Sequence, residues 1–394
     1  MKRFFRYIIV ACAATMALAS CDNAEYSIVE NGVYISEAAL TDRFTQQVEN
    51  QIVAEEVTKS LTIRLAAPID EDVTVTLGLD QDFIDTYNQR NGTSYQMLPQ
   101  ESYSLDNQVT IPAGSISAPA TLVIKPFSTP NGEAFALAVK IVDVNGPVEA
   151  ISDATHILYL LQAPHKQKVP VLDSYSAANS RVTFKNAFSP ATWTFEYWLR
   201  MGNDYDYDIN YGREYAFYDN SAPISIGECF LRWWATGALL KGPCYQNQMN
   251  GVYFDDNTEA WVTRTWYHIA YTFDGTTIQL YIDGQKNAYK ETPGKAFTFG
   301  DIVLLQNWGS WYGQNTSLAQ IRIWEGCLPQ ASIQDAMNRE VPVDSPGLLG
   351  YWKCSEGEGN VLHDSTPNAN HLTLRGTPRW DELGEVNFMY PNGK

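Results

Sequence analysis

Apolar and polar residues alternate with a period of two along much of this chain, and the alternation breaks at Asp-Gly, Asn-Gly and Pro-Ala-Gly. The clearest case is 266–285. Tyr267, Ile269, Tyr271 and Phe273 fall on one face of a first strand, and Ile278, Leu280 and Ile282 on one face of a second. Asp274-Gly275 and Asp283-Gly284 supply residues that tolerate the positive φ of tight turns, so the stretch predicts an antiparallel hairpin.

The same period recurs at 60–65, 72–79, 108–111, 120–124 and 134–142, with a turn at Pro112-Ala113-Gly114. One interruption has helical spacing. Phe83, Ile84 and Tyr87 share a helix face, Asp80 and Asp82 stand at its start, and Asn91-Gly92 marks its stop. Strands with one short helix predict an immunoglobulin-like β-sandwich over 31–161. Residues 162–170 are polar, hold Pro164 and Pro170 and lack apolar periodicity, and are read as a linker. From 171 to 394 strand signals resume at 181–184, 192–201, 215–217, 229–234, 302–305 and 318–324, and Ile333, Ala336 and Met337 form a small apolar helix face.

The first twenty residues are an address rather than a domain. Lys2, Arg3 and Arg6 precede a short apolar run from Tyr7 to Ala19, too short to span a bilayer. Leu18-Ala19-Ser20-Cys21 resembles a bacterial lipobox, which implies a signal peptide over 1–20, lipidation of Cys21 and a tether over 21–30. Such acyl chains hold a protein to a membrane at about 0.8 kcal/mol per buried CH₂. Asp22 and Glu25 after the cysteine resemble the surface-export signal of Bacteroidetes lipoproteins, which implies an outer-membrane protein facing the exterior.

The chain has 394 residues and a net charge of −18, which argues against nucleic acid as a partner. Its 11 Trp and 23 Tyr suit both strands and flat ligand faces. Past the signal and Cys21, the cysteines are Cys229, Cys244, Cys327 and Cys354. Export permits disulfides, of which Cys229–Cys244 and Cys327–Cys354 are the shortest closures; free thiols are the alternative.

Several motifs carry a family resemblance. The 266–285 hairpin, the Phe188-Ser-Pro-Ala-Thr-Trp-Thr-Phe-Glu-Tyr-Trp-Leu-Arg-Met201 strand, the strand-then-helix run 317–337 and the segment 347–374 resemble the laminin-G-like, concanavalin A-like jelly rolls. In many relatives the last segment opens the domain, whereas here it lies near the end. The 80–99 helix region with 109–114 and 137–144 resembles an N-terminal domain common on Bacteroidetes surface lipoproteins, for which a spacer role is implied.

The jelly-roll fold hosts lectins, hydrolases and protein-binding modules, so function has to come from a site. Paired carboxylates at i and i+2 on one strand, as retaining glycosidases need, are absent from the strands; Glu196 stands alone and Glu356-Gly-Glu358 lies in a glycine-rich turn. The chain is therefore read as a non-enzyme. Asp204, Asp206 and Asp208 place oxygen ligands at every second residue, as calcium loops do, although Ile209 stands where an EF-hand has glycine. A solvated acidic loop is the alternative reading of these three residues, and calcium is the one cofactor that resemblance to the jelly rolls implies. Asp364, Asn368 and Asn370 form a second oxygen-rich turn, read as structural.

Sugars offer an apolar C–H face and a rim of hydroxyls, so a site for them needs aromatic platforms beside amides. Trp308, Trp311 and Tyr312 with Asn307 and Gln314 supply both, and Trp234 in the Trp233-Trp234 pair adds a further aromatic. The reading is a carbohydrate-binding surface lipoprotein whose partner is a polysaccharide or oligosaccharide. An adhesin for surface proteins is the alternative, and a glycoside hydrolase a third.

Overall fold

The computed structural model describes residues 31–38, 48–173, 175–200, 221–226, 229–234, 244–249, 252–256, 264–307 and 315–393. Their strands form two β-sandwiches. In the N-terminal one, a five-stranded sheet runs Glu149–Ala150, Gly32–Ile35, Val57–Leu65, Ser117–Ile124, Tyr103–Leu105. It faces a second sheet in the order Val48–Ile52, His156–Gln162, Ala134–Asn145, Val73–Leu79, Gln108–Ile111, with Tyr95–Met97 also paired to Ala134–Asn145. Alternate residues such as Leu61, Ile63, Val73, Val75, Leu122 and Leu137 fill the space between them. This is the expected immunoglobulin-like sandwich.

Its helix spans Gln81–Asn91. Asp80 caps it by accepting from the Phe83 N–H at 3.2 Å, and Gly92 ends it in the left-handed region at φ 65°. Ile84 packs the helix onto Tyr95, Ala136 and Leu158, on the outer face of the second sheet.

The C-terminal sandwich is the expected jelly roll. Its seven-stranded sheet runs Val171–Leu172, Thr316–Glu325, Trp193–Arg200, Trp266–Phe273, Thr277–Ile282, Gln285–Glu291, with Leu348–Trp352 also paired to Thr316–Glu325. The facing sheet runs Ser180–Phe188, Phe299–Asn307, Ser221–Ile226, Cys229–Trp234, Cys244–Met249, Val252–Asp256. The predicted hairpin pairs Ile269 with Ile282, Tyr271 with Leu280 and Phe273 with Ile278, and all six enter the core. Asp274 fixes the turn by accepting from the Thr276 and Thr277 N–H groups.

Val171–Leu172 and Leu348–Trp352 pair with different stretches of one strand, Thr316–Glu325. Opening and late segments of the domain thus share that one strand as partner, which accommodates the displaced 347–374 motif without changing the sandwich. In that motif Asp364 is buried and accepts from the N–H groups of Tyr351, Thr366 and Asn370 and from the Thr366 hydroxyl. The turn is structural, as expected. Asp364→Asn would aim an amide donor at a backbone N–H, so a loss of about 1–2 kcal/mol is expected in a denaturant titration.

The segment read as a linker is held in place. Lys166–Lys168 pairs with Glu385–Asn387, and Val169 and Phe388 are fully buried. The Phe388 N–H donates to His165 O at 3.0 Å, and Asn392 brackets the backbone of Trp266 with two hydrogen bonds of 2.7 and 3.0 Å.

The second helix, Gln330–Ala336, lies on the outer face of the seven-stranded sheet, where Ile333 meets Ala270 and Tyr281. It also contacts the first sandwich. Ser332 donates to the carbonyls of Asn91 and Gly92, Tyr95 donates its phenol proton to Asp335, and Arg339 holds Asp335 at 2.5 Å while donating to Gly132 O at 2.9 Å. Gly132 has φ 78°, and a Cβ there would stand 2.6 Å from the Val341 carbonyl carbon, so the two sandwiches approach closely at this point.

The cysteine closures are corrected. Cys327 and Cys354 are free. Ile321 pairs with Trp352 in antiparallel strands, so the two cysteines lie in opposite directions from that pair, roughly 25 Å apart along the sheet. Burial pushes the Cys354 thiol far up. Cys244 pairs with Trp234, five residues from Cys229 along the same hairpin, so their backbones are roughly 16 Å apart, beyond disulfide reach.

Candidate functional site

One end of the jelly roll carries Asn307 and the Trp233-Trp234 pair. Strand register there runs level across the six-stranded sheet: Asn307 pairs with Ser221, Ser221 with Trp233, Trp233 with Tyr245 and Tyr245 with Asp256. Asn307 and the Trp233-Trp234 pair, far apart in sequence, sit two strand spacings apart, roughly 10 Å. In the other sheet Arg200 pairs with Ser317 and with Trp266 at the same end. Arg200, Ser221, Trp233, Tyr245, Asp256 and Asn307 therefore all stand at this end.

Trp308, Trp311, Tyr312 and Gln314 lie outside the described residues, as do Asp204, Asp206, Asp208 and Cys21. Asn307 and Trp234 are placed by backbone pairing alone. Both feet of the 308–314 segment are pinned. Leu305 O accepts from the Asn179 N–H at 3.2 Å, and the Asn315 side chain accepts from Arg379. Leu305 and Asn315 have φ 44° and 57°, a conformation costly for leucine that is kept here by two neighbouring strands.

The strand carboxylate Glu196 is engaged within the fold. Glu196 is fully buried on the outer face of its strand, opposite Arg322 in register. It lies 3.3 Å from Arg322 and 3.4 Å from His268, and accepts from the Trp324 indole N–H at 3.0 Å. Burial alone would push its carboxyl up. The Arg322 charge, the hydrogen bond and charge of His268 and the Trp324 N–H together outweigh that and hold it at about 2. Arg322 also donates to Gln320 and to the carbonyls of Ala336 and Arg339, fastening the second helix to the sheet. The sequence reading left Glu196 solitary; the available signal was its parity, shared with Arg322, on strands whose other face is wholly apolar.

An open cleft of about 540 Å³ lies elsewhere, between 166–168 and 355–358. Its walls include Glu340, Glu356, Glu358 and Glu385 with Lys166 and Lys168, and none of its lining residues is aromatic. Glu340 is paired with Lys353 at 2.5 Å and Glu356 accepts from the His363 N–H. Without a flat apolar wall the cleft cannot stack a sugar ring. Among the described residues no group of three or more His, Cys, Asp or Glu could hold a metal ion.

This fold and its loop-bearing end define a class. Residues 173–334 match the concanavalin A-like lectin/glucanases superfamily, and residues 29–148 match a family of N-terminal domains. The C-terminal sandwich is a laminin-G-like, concanavalin A-like domain. Along nearly its whole length the chain is similar to the solved structure of a candidate carbohydrate-binding protein from Bacteroides ovatus, at 20% identity and TM-score 0.52 over 91% of this chain and 98% of that one. More distant likenesses include EndoBT-3987 of Bacteroides thetaiotamicron with a Man5GlcNAc product (18% identity, 33% of this chain and 30% of that one, TM-score 0.27). Another is domain 4 of the arabinanase AbnA from Geobacillus stearothermophilus with arabinotriose (14%, 38% and 67%, TM-score 0.26). No curated protein matches by sequence.

Proposed function

We propose that this chain is a non-catalytic carbohydrate-binding lipoprotein, anchored through Cys21 to the outer membrane, facing outward and holding polysaccharide at the surface. Trp308, Trp311 and Tyr312 are its stacking platform, Asn307 and Gln314 its hydroxyl partners, and Trp234 flanks them. The observation that carries the reading is the register that brings Asn307 level with Trp233 at one end of the sheet. That register supports a shared site for the 307–314 group and Trp234. The internal engagement of Glu196, and of Glu340 with Lys353 at the open cleft, supports a binding role over hydrolysis.

The test is affinity electrophoresis through gels containing mannan, xylan, arabinan or β-glucan. At least one polysaccharide should retard the wild-type protein, and Trp308→Ala with Trp311→Ala should abolish the retardation while moving the melting temperature by no more than about 2 °C. A large drop in melting temperature would assign the two indoles to the core, and retained binding would move the site elsewhere.

A further inference from the structure

His165 stands at the joint between the two sandwiches. The last strand of the first one ends at Gln162, whose carbonyl accepts from the Val53 N–H at 2.9 Å, and the clasp strand Lys166–Lys168 starts at the residue after His165. A small cavity of about 60 Å³ lies at this joint, walled by Thr129 and Glu133 of the first sandwich, by 161–165, and by Arg339 and Glu340 of the second. Phe388, fully buried, stacks on the partly buried imidazole with ring centroids 5.9 Å apart.

The hydrogen bonds around the ring decide which of its forms fits. Gln167 donates its amide to the carbonyls of Lys353 at 2.9 Å and Cys354 at 3.3 Å, so its Oε1 is left to accept. That oxygen takes the Gln320 amide at 2.5 Å and the imidazole Nε2 at 3.0 Å, so Nε2 carries the ring proton. Gln320 Oε1 accepts in turn from Arg322 at 2.8 Å and from the Tyr351 phenol, which holds the Gln320 amide nitrogen 3.3 Å from Nε2. A neutral ring completes this set, whereas an imidazolium would bring its charge up to amide donors.

The charges nearby favour the neutral form as well. Arg322 and Lys353 approach from the sheet, Arg339 from the segment after the second helix, and exposed Lys166 follows in the chain. The two carboxylates at the cavity are engaged, Glu340 with Lys353 at 2.5 Å and Glu133 with the N–H and amide of Asn131. Burial pushes the imidazole below its ordinary value and the Arg322 and Lys353 charges add to this, against the Gln167 hydrogen bond and the Glu340 charge.

We propose that His165 is a pH-sensitive joint between the sandwiches: the neutral ring locks the clasp strand onto the sheet through Gln167 and Gln320, and the protonated ring leaves that niche and loosens the clasp. In the unfolded chain the ring takes a proton near pH 6.5, whereas in the folded chain it resists until lower pH. Between those two values the unfolded chain binds more protons, so stability is full above pH 6.5 and falls as pH drops through it, until the folded ring is protonated too.

His165→Gln keeps a donor for Gln167 Oε1 but takes up no proton. In urea titrations at pH 7.5 and pH 5.5, the folding constant of wild type should fall at least about threefold more than that of His165→Gln. A second measurement needs no variant: proton NMR of the labelled wild-type protein should show the His165 ring titrating below pH 6.5. Equal losses in the two proteins, or a His165 ring that titrates at or above pH 6.5, would overturn the joint.

Discussion

Arg322→Leu should destabilise the protein by about 3–5 kcal/mol, because it strands a carboxylate at the centre of a covered sheet face. Glu196 and Arg322 are both fully buried, and the guanidinium supplies the charge that keeps Glu196 ionised. Removing it also orphans Ala336 O and Arg339 O, which dock the second helix. The loss should depend on pH. The Glu196 carboxyl sits at about 2 rather than the ordinary 4.5, so its stabilising contribution is fully present above pH 4.5 and fades as pH falls through about 2. The variant lacks that contribution, so its deficit should shrink over this window, and Glu196→Gln in the same background should recover part of it at neutral pH. Denaturant midpoints at pH 3 and pH 7 would decide; equal deficits at both would mean that the pair is not the cause.

Asp335→Ala should divide one unfolding transition into two and cost about 3 kcal/mol, through a buried contact between the sandwiches. Asp335 accepts from the Tyr95 phenol of the first sandwich and is paired with Arg339, which reaches across to Gly132. Burial, with the Asp335 charge beside it, pushes the Tyr95 phenol far up, so it remains a donor across the working pH range. Without the carboxylate, Tyr95 loses its acceptor, Arg339 loses its ion-pair partner and keeps only carbonyls, and the two cores lose much of their coupling. Calorimetry should show a single cooperative peak for wild type and resolved peaks for Asp335→Ala, with a smaller shift for Tyr95→Phe. A single peak in both proteins would place the coupling elsewhere, in Ser332 or in the 166–168 strand.

Local chemistry made much of the architecture legible. The 266–285 hairpin was readable because alternation and Asp-Gly turns agree over twenty residues, and the first helix because Asp80 and Gly92 cap it as their chemistry requires. What escaped is non-local. Lys166-Gln167-Lys168 reads as linker because its order comes from pairing with Glu385–Asn387 and from Gln167 bonding to Gln320, neither visible in its own composition. The Glu196–Arg322 pair joins residues 126 positions apart, and only knowledge that a helix covers that face turns two isolated charges into a couple. For the candidate site, sequence supplied the residue types, while pairing through Ser221 is what sets Asn307 level with Trp233.

The clasp formed by Lys166–Lys168 with Glu385–Asn387, and by Asn392 with Trp266, has a kinetic consequence. The first sandwich can be assembled once the chain is available to about residue 162, but the second cannot be sealed until residue 392 is available. Its nascent β-strands must wait for partners more than a hundred residues downstream, the kind of long-range closure that folds slowly and leaves edges open meanwhile. The finished N-terminal half then offers the late half a ready template, through the surface around Tyr95, on which to condense.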